Sequence, residues 1–158
     1  MISNYLQVLE ESLRKKLAAL DRVESLCVEQ EKLLKAPSFS EEAFDASMEE
    51  KGALIDELNR LDEGFESLYG HIREELPAQK EKYKTQIAAL QQLVKDVTDK
   101  SVSIQAQEAR NKALMENYFT GRKKEIQQGR KGSRAAINYY RSMSDSKSVQ
   151  PQFMDKKK

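Results

Sequence analysis

An apolar residue recurs at alternating steps of four and three along Leu54, Leu58, Leu61, Phe65, Leu68 and Ile72. That average spacing keeps one stripe of a helix facing a supercoiled neighbour. The chain is therefore expected to fold as long helices packed side by side. A second stripe precedes it. Ile2, Leu6, Leu9, Leu13, Leu17, Leu20, Val23 and Cys27 recur at steps of three or four in a stretch, 2–35, that holds no Pro or Gly. At 1.5 Å per residue this predicts one helix of roughly 50 Å.

Composition supports narrow apolar seams rather than a thick core. Charged residues make up 34% of the 158 residues and aromatics 7%, with no Trp. That is the usage expected of long helices, and the length suggests a single domain.

Local breakers divide the chain. Pro37 disfavours helix at Ala36 and cannot donate an amide to a continuing turn. Ser38 and Glu41 have the spacing of a capping box, which predicts a second helix over 39–75. The short connection implies an antiparallel hairpin. Gly64 lies inside the second stripe, where its cost of ~1 kcal/mol relative to Ala is offset by flanking Leu61, Phe65 and Leu68. Leu76 and Pro77 close that helix, and Pro77 suits the first turn of a third, expected over 78–129. Tyr83, Ile87, Leu90, Val94 and Val97 carry its seam. Then Ser101, Glu108 and Asn111 fall on the seam with only Ile104 and Ala109 as apolar support, which predicts loosened packing. Gly121, Gly129 and Gly132 raise the cost of staying helical. A short amphipathic helix is read over 133–143, and 144–158 reads as a disordered tail. The reading is thus an all-α, three-helix coiled-coil bundle over 1–143 with a flexible end.

The formal net charge of +1 hides a polarised distribution. Between Glu24 and Glu75 there are 15 Asp and Glu against 5 Lys and Arg; from Arg110 to Lys158 there are 13 Lys and Arg against 4 acids. The two halves can pair within the chain or steer an acidic partner to the basic end. Cys27 is the only cysteine, so no intrachain disulfide forms, and its apolar setting suggests a small buried hydrophobe. The start of the chain lacks a basic flank and a continuous apolar run, and no stretch approaches the ~20 apolar residues that span a bilayer. A cytoplasmic protein without membrane insertion is expected.

Chemistry is sparse. His71 and Cys27 occur once each, and an antiparallel hairpin separates them, so no nucleophile and base are expected to meet. His71 reads as part of a solvated face, as do the carboxylate pairs Glu41 with Asp45 and Glu63 with Glu66, which lack the His of a di-iron bundle. No glycine-rich phosphate loop is present. The expectation is a non-enzyme with no catalytic residues, no metal, no cofactor and no small-molecule substrate. Arg122, Lys123, Lys124, Arg130, Lys131 and Arg134, with Tyr139 and Tyr140, form a weak nucleic-acid signal. A self-associating structural coiled coil, and with it a homodimer, is left open by the same seams. Protein binding remains as the leading class, since Met and Tyr on a helix suit adaptable recognition.

Several residues carry a family likeness. Leu9, Leu13, Leu17, Leu20, Asp21, Leu26, Glu31, Leu33 and Leu34, followed by Glu50, Lys51, Leu54, Ile55, Leu58, Leu61 and Asp62, resemble the FlgN-type flagellar export chaperones. Glu108, Arg110, Asn111 and Lys112, then Tyr139, Tyr140 and the ending Phe153, Met154, Asp155, Lys156, Lys157, Lys158, resemble its clostridial-type branch. The resemblance implies a cytoplasmic chaperone that binds C-terminal helical segments of hook-filament junction (hook-associated) proteins and delivers them to the flagellar type III export apparatus. It also implies a client-binding surface toward the C-terminal helix, here Leu114, Met115, Tyr118, Phe119, Ile126, Ile137, Tyr140 and Met143. Gly121, Gly129 and Gly132 depart from a continuous binding helix.

Overall fold

A computed structural model describes residues 1–121 of the chain. The expected helix over 133–143, the tail 144–158 and the basic stretch from Arg122 onward lie outside the described residues. Within them the structure is all-α: α1 (Ile2–Lys35), α2 (Glu41–Ile72), a 3-10 helix (Leu76–Gln79) and α3 (Lys84–Gly121).

α1 stops where Ala36, the residue before Pro37, turns extended at φ −67 and ψ 149. The cap of α2 is Ser40, not Ser38: its Oγ accepts from the Ala43 amide at 3.2 Å. The later start has a packing reason. Phe39 is drawn into ring contact with Phe44 and Tyr118, which holds residues 36–39 in the turn. Glu41 and Glu42 then sit in the first turn, where negative charge complements the helix dipole. α2 runs unbroken through Gly52, Gly64 and Gly70. It ends at Ile72, and the Arg73 amide donates to the Tyr69 carbonyl at 2.9 Å.

The connection to α3 is longer than Pro77 alone suggested. Pro77 opens a 3-10 helix instead of a long one, and buried Leu76 anchors that turn to the core, so α3 begins only at Lys84. The chain needs those residues to reverse direction across the end of the bundle.

The pairings define the topology. Lys16 lies opposite Asp62 and Gln30 opposite Ser47, so α1 and α2 are antiparallel. Ser3 meets Gln86, Glu24 meets Lys100 and Glu31 meets Gln107, so α1 and α3 are parallel. α1 is the central helix, close to both others along its length.

Each helix contributes one buried row at steps of four and three. In α1 it is Ile2, Leu6, Leu9, Leu13, Lys16, Leu20, Val23, Cys27 and Gln30; in α3 it is Leu90, Val94, Val97, Ser101, Ile104, Glu108, Asn111 and Met115. In α2 the row is Phe44, Met48, Lys51, Ile55, Leu58, Phe65, Tyr69 and Ile72, with half-buried Asp62 in step. Leu54, Leu61 and Leu68 are half-buried beside that row rather than on it. The stripe read from the sequence was one of two overlapping registers, and the structure centres the other.

The rows close two apolar clusters. One joins Leu9, Leu13, Phe65, Tyr69, Leu90 and Val94 near the N-terminus; the other joins Leu20, Val23, Leu58, Val97, Ile104 and Met115 toward the α1–α2 turn. Lys16 and Asp62 fall where the two meet.

Candidate functional site

The polar residues on the buried rows are not gaps in the packing. Lys51 projects from α2 into the centre of the bundle, where its side chain is 0% exposed. An ammonium has three protons to donate. Lys51 Nζ donates to Glu108 Oε2 of α3 at 2.8 Å and to Oε1 at 2.9 Å, and to Gln30 Oε1 of α1 at 2.5 Å. Cys27 Sγ lies 3.7 Å away. All three helices therefore supply one layer, and one cation ties them.

The layer continues outward through hydrogen bonds. Gln30 Nε2 donates to Ser47 Oγ at 2.8 Å, and Ser47 Oγ donates to the Phe44 carbonyl at 2.6 Å. On the other side Asn111 Nδ2 donates to the Cys27 carbonyl at 2.8 Å, while Gln107 Nε2 donates to Asn111 Oδ1 and to Glu31 Oε1. The expected loosening around Ser101, Glu108 and Asn111 is thus corrected: Ser101 is 2% exposed, Glu108 4% and Asn111 1%. Ala109 gives no apolar support, since it is exposed. Glu108 is held because an ammonium from α2 waits opposite it. Removing one partner of such a pair strands a buried charge at a cost of about 3–5 kcal/mol.

Chemistry at this layer is suppressed rather than promoted. Burial pushes the Cys27 thiol up to about 12, Lys51 opposes that, and Glu108 adds to it. A thiol held so far above its ordinary value is a packed hydrophobe, not a nucleophile. His71 is remote from it, exposed at the other end and stacked on Tyr5 with ring centroids 5.7 Å apart. Glu41, Glu63 and Glu66 are exposed, whereas Asp45 departs from the solvated face expected of it and is buried beside Phe44. Among the described residues no group of three or more His, Cys, Asp and Glu could hold a metal ion.

A second buried lysine was hidden in the same way. Lys16 donates from α1 to Asp62 Oδ1 of α2 at 2.7 Å. Burial lowers the Lys16 pKa and raises that of Asp62, each against the pull of its partner. Both lysines lie on the alternating rows: a step of three from Leu13 and four on to Leu20 lands on Lys16, and the same steps from Met48 to Ile55 land on Lys51.

Beyond the Lys51 layer lies the distal tip of the bundle, the end of α3 for which the family resemblance implies a client-binding surface. Four rings form a chain there: Phe44 to Phe39 at 5.4 Å, Phe39 to Tyr118 at 4.4 Å and Tyr118 to Phe119 at 5.4 Å between centroids. Met115 is buried in the distal cluster, and Leu33, Leu34, Phe39 and Phe119 pack on it half-buried. Leu114 is also half-buried. Of the eight expected contact residues, Leu114, Met115, Tyr118 and Phe119 are thus gathered at one end of α3. Ile126, Ile137, Tyr140 and Met143 lie outside the described residues.

The model of the FlgN protein family matches residues 1–142. The chain belongs to the FlgN family. Its general role is accordingly that of a flagellar export chaperone, a helical protein that binds protein clients. No curated protein and no solved structure matches the chain. Among the described residues no helix is long and apolar enough to cross a membrane.

Proposed function

We propose that this FlgN-family chain acts in the cytoplasm. It holds C-terminal helical segments of hook-filament junction (hook-associated) proteins and passes them to the flagellar type III export apparatus. The observation that carries the reading is the collection of half-buried Leu114, Tyr118 and Phe119, with Met115 beneath them, at the distal end of α3. Half-buried aromatic and aliphatic side chains at helical spacing are what an amphipathic client helix needs to lay its own apolar face upon. Ile126, Ile137, Tyr140 and Met143 extend the grip in this proposal.

The alternative of a self-associating scaffold has less to recommend it. The buried rows of α1, α2 and α3 cover one another within one chain, so no second copy is required to bury them.

The test is co-expression of the full chain with each hook-associated protein of the same genome, followed by titration with their C-terminal segments. A one-to-one complex is expected. Tyr118→Ala with Phe119→Ala should weaken it at least tenfold, about 1.4 kcal/mol or more, with helicity unchanged. A full-strength complex in that double variant rejects the assigned surface, and failure with every hook-associated client rejects the function.

A further inference from the structure

The distal aromatic residues are not presented outward as a ready platform; they are turned in on the molecule itself. Tyr118 lies on Phe39 of the α1–α2 turn, Phe119 packs on the distal cluster and Met115 is 7% exposed. These three occupy positions i, i+3 and i+4 of α3. Met115 and Phe119 share an apolar cluster with Leu33, Leu34, Phe39 and Phe44, and Tyr118 lies on Phe39, at the end of the bundle where α1 turns into α2. What covers Leu33, Leu34, Phe39 and Phe44 there is one face of an amphipathic helix.

The segment that covers them has a natural boundary. Up to Asn111 α3 is tied to the other helices by the Lys51–Glu108 pair and by the Asn111 side chain on the Cys27 carbonyl. Past Asn111, Lys112, Ala113, Glu116, Asn117 and Thr120 are exposed, and Met115 is the one residue of 112–120 that is buried. Apolar contacts of adaptable Met and aromatic side chains can be exchanged for similar contacts with a partner. The buried ion pair cannot be exchanged so, because separating it leaves a charge without water.

We propose that the apolar surface of Leu33, Leu34, Phe39 and Phe44 is a client seat that α3 residues 112–121 cover in the unloaded protein. Opening stops at Asn111. The partner it fits is an amphipathic helix presenting large apolar side chains at i, i+3 and i+4, the pattern that already covers it. The incoming helix takes the place of Met115, Tyr118 and Phe119, which swing out and close over it from the other side. This rests on the client-binding reading above and adds that loading requires the clasp to open.

The experiment is a clasp that can be locked. In Phe39→Cys/Tyr118→Cys the two new thiols are joined by a short bismaleimide, and a peptide spanning the C-terminal helix of a hook-associated protein is titrated against locked and unlocked forms. Cys27 does not compete, being fully buried with its thiol pushed up to about 12. Binding by the unlocked form and at least tenfold weaker binding by the locked form is the expected result. Equal affinity overturns the seat while leaving the chaperone reading intact; absence of binding by the wild-type chain overturns both. Should the unlocked double variant alone lose binding, hydrogen exchange of the wild-type chain decides. Protection that falls at least tenfold between 101–111 and 112–121, and returns in 112–121 on adding peptide, upholds the seat. Protection that runs evenly through Asn111 refutes it.

Discussion

The two buried lysines make an instructive pair. Both come from rows that otherwise carry Leu, Ile and Val, and both side chains are at most 2% exposed. Lys51 meets ligands from all three helices, with both carboxylate oxygens of Glu108 and the Gln30 amide oxygen around its ammonium. Lys16 donates to Asp62, whose side chain is 27% exposed at the edge of the α1–α2 interface. The first layer links all three helices; the second lies at the border between two apolar clusters, with its Asp62 partner partly exposed. A buried charge that is ringed by partners is costly to disturb, whereas one close to solvent has water as a substitute.

The largest effect should come from Glu108→Ala, which leaves the Lys51 ammonium enclosed. A loss of about 3–5 kcal/mol in urea unfolding is expected, with faster thiol labelling of Cys27; a loss below ~1 kcal/mol would erase the contrast between the layers. Asp62→Ala should destabilise by only about 1–3 kcal/mol, because Lys16 can reach solvent or release its proton. Replacing both partners, in Lys51→Met/Glu108→Leu, should restore stability to within about 1 kcal/mol of wild type or raise it above. If that variant instead loses helical cooperativity, the pair sets register as well as stability.

The pH response sharpens the comparison further. Burial holds the Lys16 pKa below its ordinary 10.5, so between the folded value and 10.5 the unfolded chain binds more protons and stability contributed by this group rises with pH. The raised Cys27 pKa acts the other way in both proteins, so the readout is the difference: stability of wild type relative to Lys16→Met should grow with pH across that alkaline window. The smallest effect is expected on the surface. Arg22 and Glu50 pair at 2.6 Å but are about half exposed, and Arg22→Ala should leave the unfolding midpoint in the same assay unchanged.

Most of the helical plan was legible because steric rules act locally. Pro37 ends α1 by constraining its own neighbour, and the four-and-three spacing of Leu and Ile needs no partner to be seen. The caps were less legible. Ser38 and Ser40 offer the same hydroxyl, and the ring contacts of Phe39 with Phe44 and Tyr118 give the cap to Ser40. The tip was legible in part: α3 residues 114–119 stood out as adaptable and aromatic, but their partners Leu33, Leu34 and Phe39 come from the far side of the sequence.

The sequence by itself determined that this chain would be helical, that its helices would lie against one another, and that Cys27 would be a packed hydrophobe rather than a nucleophile. Only the tertiary structure decided that α2 centres Lys51 and Ile55 instead of Leu54, and that Glu108 is a core residue. The reason is physical: spacing tells which residues share a helix face, but the free energy of burying a charge depends on what another helix places opposite it. Glu108 stands 57 residues from Lys51, and no local rule spans that separation.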